Sequence, residues 1–270
     1  MKKLFIFLIS VVVALNLTAQ NREVAIALRS YTKAKLATEN PKRNTSAKTW
    51  NSFAEAAMAL YDAPVKTLWI GASQIEIKVL LKDERIIKSE RINLGEDSYI
   101  VDYYDDKKLY YDTNGILALW EVVEPALDEP LLDIAYAALQ KSVDLDSGGR
   151  LKEMLKANIE GVKNRYNTEA MAAYTLRNYK DASQYFEKIL KVGSNPLLDQ
   201  VDTVFYYHTG MTAYLNKDFD RAIEFFNLSI EYGYDESGDV YSYLAESYKA
   251  KSDMNMAKVV LNAGFQKYPS

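Results

Sequence analysis

The chain has 270 residues, 49% of them hydrophobic and 26% charged, with 11 Gly and 6 Pro, so a folded core is affordable and a collagen-like or Pro-rich disordered chain is excluded. It has no Cys and 1 His, which excludes disulfides, zinc–thiolate sites, iron–sulfur clusters, Cys nucleophiles and His-rich metal sites. Lys and Arg number 33 against 37 Asp and Glu, a net charge of −4 and the wrong sign for general nucleic-acid binding.

The first twenty residues read as an address. Met1-Lys2-Lys3 is a basic start, Leu4 to Leu15 is an apolar run with Ser10 as its one polar residue, and Asn16 to Gln20 is polar. That is the three-part pattern of a secretory signal, with cleavage expected after Ala19 and a weaker cut near Val12-Val13-Ala14. The run is shorter than the ~20 residues a membrane span needs. No Cys follows to carry a lipid. Residues 1–19 are therefore expected to be removed on export, and residues 20–270 to be periplasmic, with no span left.

Two amphipathic stretches follow. Ala27, Tyr31 and Ala34, before Pro41, sit at helical spacing. Trp50 to Tyr61 (WNSFAEAAMALY) carries an aromatic, then apolar–small pairs, as a helix that meets a partner closely. Residues 63–129 change character. Residues 73–82 fit a helix or a further strand, the helix being the favoured reading. A strand is expected around Ile87–Asn93, turned by Leu94-Gly95-Glu96-Asp97, and others over Tyr99–Tyr104, Lys108–Tyr111 and Ile116–Val123. Asn114-Gly115 is a strong hairpin signal. Leu132 to Asp146 then returns to helical spacing.

The rest shows self-similarity, which is the first thing to seek. Three stretches share one order of residues: Tyr166 to Leu190, Tyr206 to Phe226, and Tyr241 to Pro269. Each has a small residue on a first helix (Ala170, Gly210, Ala245) and an alanine on a second (Ala182, Ala222, Ala257). A large residue four positions later closes the core (Phe186, Phe226, Leu261). The pairs Asn178-Tyr179, Asp218-Phe219 and Asp253-Met254 start the second helices, with a cap and a staple in each.

This pattern resembles the tetratricopeptide repeat. The resemblance implies a mainly α superhelix of about four helix pairs with a small β-rich insertion. Residues 20–62 would supply a leading half repeat and the first helix of repeat one. Residues 63–129 would be the insertion, 130–146 the second helix of repeat one, and 147–270 three further repeats. It also implies that the first helices line a concave groove for peptides or partner helices. At the matching positions stand Asn167, Met171, Tyr174, Tyr207, Met211, Tyr214, Ser242, Glu246 and Lys249. A subclass of the family clamps a C-terminal carboxylate with Lys, Asn and Arg; Asn167 and Met171 stand where its Lys and Asn would be, so that clamp is not expected.

Nothing else carries chemistry. His208 lies between aromatic residues without a partner pattern and reads as an ordinary helix residue. Asp102, Asp105, Asp106 and Asp112 lack the calcium-loop pattern. Ser147-Gly148-Gly149-Arg150 is too short for a phosphate loop. No cofactor and no metal is expected, and the reading is a non-catalytic adaptor, scaffold or assembly factor of the cell envelope with a protein or peptide partner. The rival is a glycan- or small-ligand-binding protein whose insertion presents Tyr103, Tyr104, Tyr110, Tyr111 and Trp120 as an aromatic platform. Pro269-Ser270 falls where another repeat would begin. The expectation is therefore a fragment, or pairing through the last helix, with Val259, Val260 and Phe265 otherwise partly exposed.

Overall fold

A computed structural model describes residues 19–198, 202–234 and 238–269. The expected signal stretch, except Ala19, lies outside the described residues. The described chain is mainly helical with one small antiparallel sheet. Its order is α1 (Ala19–Glu39), α2 (Ala47–Asp62), α3 (Gln74–Leu80), β1 (Lys88–Leu94), β2 (Asp97–Tyr103), β3 (Lys107–Tyr111), β4 (Leu117–Val122), α4 (Leu131–Leu145), α5 (Lys152–Thr175), α6 (Tyr179–Gly193), α7 (Val204–Leu215), α8 (Phe219–Glu231), α9 (Asp239–Ala250) and α10 (Met254–Lys267).

Helix α2 packs on α4, although the sheet separates them in sequence. Ala54, Ala57, Ala135 and Leu139 are all fully buried in one core. Small residues on both helices let the axes approach, and the Ser142 hydroxyl donates to the Ala47 carbonyl at 2.8 Å. Tyr31 of α1 lays its ring on Phe53 of α2, 5.4 Å between centroids.

The sheet runs β1-β2-β3-β4, each strand antiparallel to the next. Of residues 73–82, Gln74–Leu80 form a helix, started by a reciprocal capping box between Ser73 and Glu76. Strand alternation sends Leu109, Tyr111 and Leu117 to one face, against Leu68, Ala72 and Ile77. Val101, Tyr110 and Leu119 go to the other, against Ala172 of α5 and Leu176, which caps it. Sheets this small are marginal alone, so both faces need such cover. Gly115 (φ +75) turns the β3–β4 hairpin while the Asp112 carboxylate accepts the amides of Asn114 at 2.9 Å and Ile116 at 2.8 Å. Lys107 is fully buried between Glu84 (2.7 Å) and Asp106 (2.9 Å).

The C-terminal helices pack in sequence, α5 on α6, α7 on α8, α9 on α10. The three corners within these pairs are alike. Arg177, Lys217 and Ser252 hold positive φ of 60, 62 and 65°. The next residue's amide bonds back to the carbonyl of Ala173, Ala213 or Tyr248. The side chains of Asn178, Asp218 and Asp253 then accept the amides of Asp181, Arg221 and Met256, capping the second helix. Ala182, Ala222 and Ala257 are buried, as are Phe186 and Phe226. Leu261 departs from the expected core role: it is 50% exposed. Phe186 and Phe226 are covered by Phe205 of α7 and Tyr243 of α9, whereas no described helix follows α10 to cover Leu261.

Candidate functional site

Two places bring unusual side chains together. The first is a strip of phenols across the first helices of the C-terminal pairs. Tyr214 of α7 lies 5.3 Å from Tyr243 of α9, centroid to centroid. Tyr207, about two turns earlier on the same face of α7, lies 5.2 Å from Tyr234. Burial, then the nearby phenols of Tyr243, Tyr234 and Tyr174 and the Asp239 carboxylate, push the Tyr207 hydroxyl up to about 12. Tyr174 is 40% exposed and meets Tyr179 edge-on at 5.8 Å. Met211 is half-buried against the C-terminal core, and Met171 is exposed.

Of the nine positions read from the sequence, Tyr207, Met211 and Tyr214 pack against one core, and Tyr174 is close enough to Tyr207 to act on its hydroxyl. Asn167 is half-buried on α5 and Ser242 is exposed on α9. Glu246 and Lys249 form a solvent-exposed pair at 3.4 Å and join no aromatic contact. On α9 the contact is made by Tyr243, one position along from Ser242. His208 is stacked on Phe186 at 5.4 Å, and burial pulls its imidazole below the usual range.

The second place is a cavity of about 710 Å³ between the sheet and helices α2, α4, α5 and α6. Three tyrosine–carboxylate pairs line it. Tyr61 donates to Glu169, Tyr110 to Glu121 at 2.9 Å, and Tyr166 to Asp133 at 2.6 Å. Asp133 also accepts from Lys188 at 2.5 Å. Burial raises Asp133, but the bonds from Lys188 and Tyr166 outweigh it and hold the carboxyl below its ordinary value. Glu169 goes the other way. Burial pushes it up, the Tyr61 bond lowers it, and the charge of Glu121 raises it further. Nothing in the sequence brings these groups together, because they come from two strands, β3 and β4, and four helices, α2, α4, α5 and α6, that meet only in the fold.

The expected aromatic platform on the sheet is not formed. Tyr104, Tyr110 and Tyr111 are buried, since the two faces of the sheet are both packed. Only Tyr103 and Trp120 stay half-exposed; Trp120 packs on the Leu109 face, and Tyr110 faces the cavity instead. The aspartates weighed as a calcium loop have other roles: Asp112 caps the hairpin, Asp106 pairs with Lys107, and Asp102 accepts from Gln74 at 3.0 Å. Among the described residues no group of three or more His, Asp or Glu could hold a metal ion. None of their helices is long and apolar enough to cross a membrane.

No protein-family model matches the chain. No curated protein matches it. Among solved structures it is similar to one described as the crystal structure of BtubC (BKLC) from P. vanneervenii. The identity is 16% over 92% of this chain and 91% of that one, with a TM-score of 0.35. A likeness that weak carries no argument.

Proposed function

We propose that the chain is an exported, non-catalytic protein–protein interaction module of the bacterial cell envelope, periplasmic once its signal is removed. It would be a tetratricopeptide-like superhelix in which the sheet is an insertion between the two helices of the first pair. The repeat reading draws on the three matching corners at Arg177, Lys217 and Ser252 and on the packing of α2 against α4. The phenol strip carries the binding reading. Tyrosine offers large, rigid contact area with a hydroxyl that keeps its hydrogen bonds on either side of binding, which is why interfaces favour it. Met171 and Met211 beside it add an adaptable apolar surface. The partner would be a protein or a peptide.

The test places a photo-crosslinking side chain at Met171 in the whole chain expressed with export. A discrete protein adduct is expected, and it should vanish when Tyr174 and Tyr243 are both replaced by Ala. An adduct that survives the double replacement, or no adduct, overturns the groove as the docking face.

A further inference from the structure

We propose that the cavity between the sheet and the helices binds an organic cation: a guanidinium or primary ammonium on an apolar stem. This goes beyond the adaptor reading and stands without it. The space, about 710 Å³, is in the range of small-ligand sites.

Its charge balance selects the sign. Glu121, Glu129, Asp133, Glu169 and Asp181 line the cavity against the single ammonium of Lys188. Three of these carboxylates already face a cation. Lys108 holds Glu121 at 2.8 Å, Lys35 holds Glu129 at 3.3 Å, and Lys188 holds Asp133 at 2.5 Å. Asp181, at the partly exposed start of α6, accepts only the neutral amide of Asn178 among the described residues, at 2.6 Å. Glu169 has no cationic partner among the described residues; its hydrogen bond comes from the neutral phenol of Tyr61. A buried carboxylate without a countercharge is costly, and an entering cation would offset that cost. The same groups repel an anion. A neutral polyol could bond to the phenols and carboxylates, but it would leave Glu169 uncompensated.

The walls suit such a ligand. The rings of Tyr61, Tyr110, Tyr166 and Tyr185 line the space, and electron-rich faces favour cations in a dry site. Ile92, Leu94, Ala172 and Leu176 give an apolar wall for a methylene stem. The route in is acidic too: the side chains of Glu121 and Asp133 are 39% and 44% exposed, whereas the Tyr166 ring beside Asp133 is buried. A cation is therefore attracted before it enters.

The experiment is isothermal titration of the whole chain with agmatine, with the capped tripeptide acetyl-Gly-Arg-Gly-amide, and with butylurea as an uncharged control. At least one of the two cations is expected to bind roughly ten-fold or more tightly than butylurea. Tighter binding of agmatine identifies a free amine as the source, and tighter binding of the tripeptide identifies a side chain of a polypeptide. Glu169→Gln is expected to weaken the cation roughly ten-fold or more. That variant removes an unpaired buried charge, so it keeps the fold, as an unchanged circular dichroism spectrum would show. Movement of the Glu169 and Ala172 backbone amide resonances on titration locates the ligand in the cavity. The proposal is overturned if neither cation binds up to about 10 mM, if butylurea binds as tightly, or if Glu169→Gln leaves the affinity unchanged. None of these results depends on whether the phenol strip crosslinks a partner.

Discussion

At Gly210 of α7 a β-carbon would stand 2.7 Å from Cδ1 of Phe226, whose fully buried ring packs near Tyr207 and Tyr243. That ring cannot step aside without opening both contacts. Gly210→Ala is therefore expected to destabilise by ~1–3 kcal/mol from overpacking, less the ~0.5–1 kcal/mol that removing a helical glycine returns. The urea midpoint should fall; a rise would mean that the α7–α8 approach is looser than 2.7 Å implies. Glu169 gives a residue-scale prediction of the opposite sign. Its carboxyl titrates higher folded than unfolded, chiefly through burial and then through the Glu121 charge, with the Tyr61 bond opposing. Its contribution to stability is thus full below the unfolded value, about 4.3, and falls as pH rises through the folded one. Glu169→Gln keeps an acceptor for Tyr61 and removes the titration. Its melting temperature should match the wild type near pH 4 and exceed it near pH 7. A variant less stable than wild type at pH 7 would show that the ionised carboxylate is well solvated or paired.

Between elements, the α2–α4 contact depends on small side chains. Ala135 is fully buried in the same core as Ala54 and Ala57. Ala135→Leu should cost ~1–3 kcal/mol, because a well-packed core has no room for three more carbons. Denaturant unfolding checks it, with Lys141→Leu as an exposed control on the same helix. These contacts were legible in the sequence because helical spacing and small residues are local signals. So were the caps at Asn178, Asp218 and Asp253, whose work is done within three residues. Other elements escaped. Helix α5 begins at Lys152, well before Tyr166, and Leu155, Ile159 and Val162 already carry the four- and three-residue steps of its buried stripe. The aromatics of the sheet were misread because residue type does not say whether one face or both are packed. Leu261 matched Phe186 and Phe226 by position, but burial depends on the next helix, not on the repeat. The cavity left no local trace at all.

For the whole molecule, the question is how far the helices depend on the sheet. Two contacts of α1 bracket it. Lys66 pairs with Glu23 at 2.7 Å, and Glu129 accepts from Tyr31 at 2.6 Å. Glu23 and Tyr31 are eight positions apart on one helix, so the two ends of the intervening segment leave and return roughly 12 Å apart along α1. A short flexible linker spans that: six Gly and Ser residues reach about 12–15 Å on average. Replacing residues 67–127 by such a linker should preserve the α2–α4 contact, the Lys66–Glu23 pair and the Glu129–Tyr31 bond. It should also expose Ala172 and Leu176, which now lie beneath Val101, Tyr110 and Leu119. The expected product is a folded helical protein that melts cooperatively but at a lower temperature. Its loss is confined to the α5–α6 corner, where Arg177 now rests against Gly95. Cation binding should disappear, since Tyr110, Glu121 and the other sheet walls are gone. Adduct formation at Met171 should persist if the phenol strip is the docking face. A deletion product that is unfolded by circular dichroism would instead make the sheet part of one indivisible core with α2, α4 and α5.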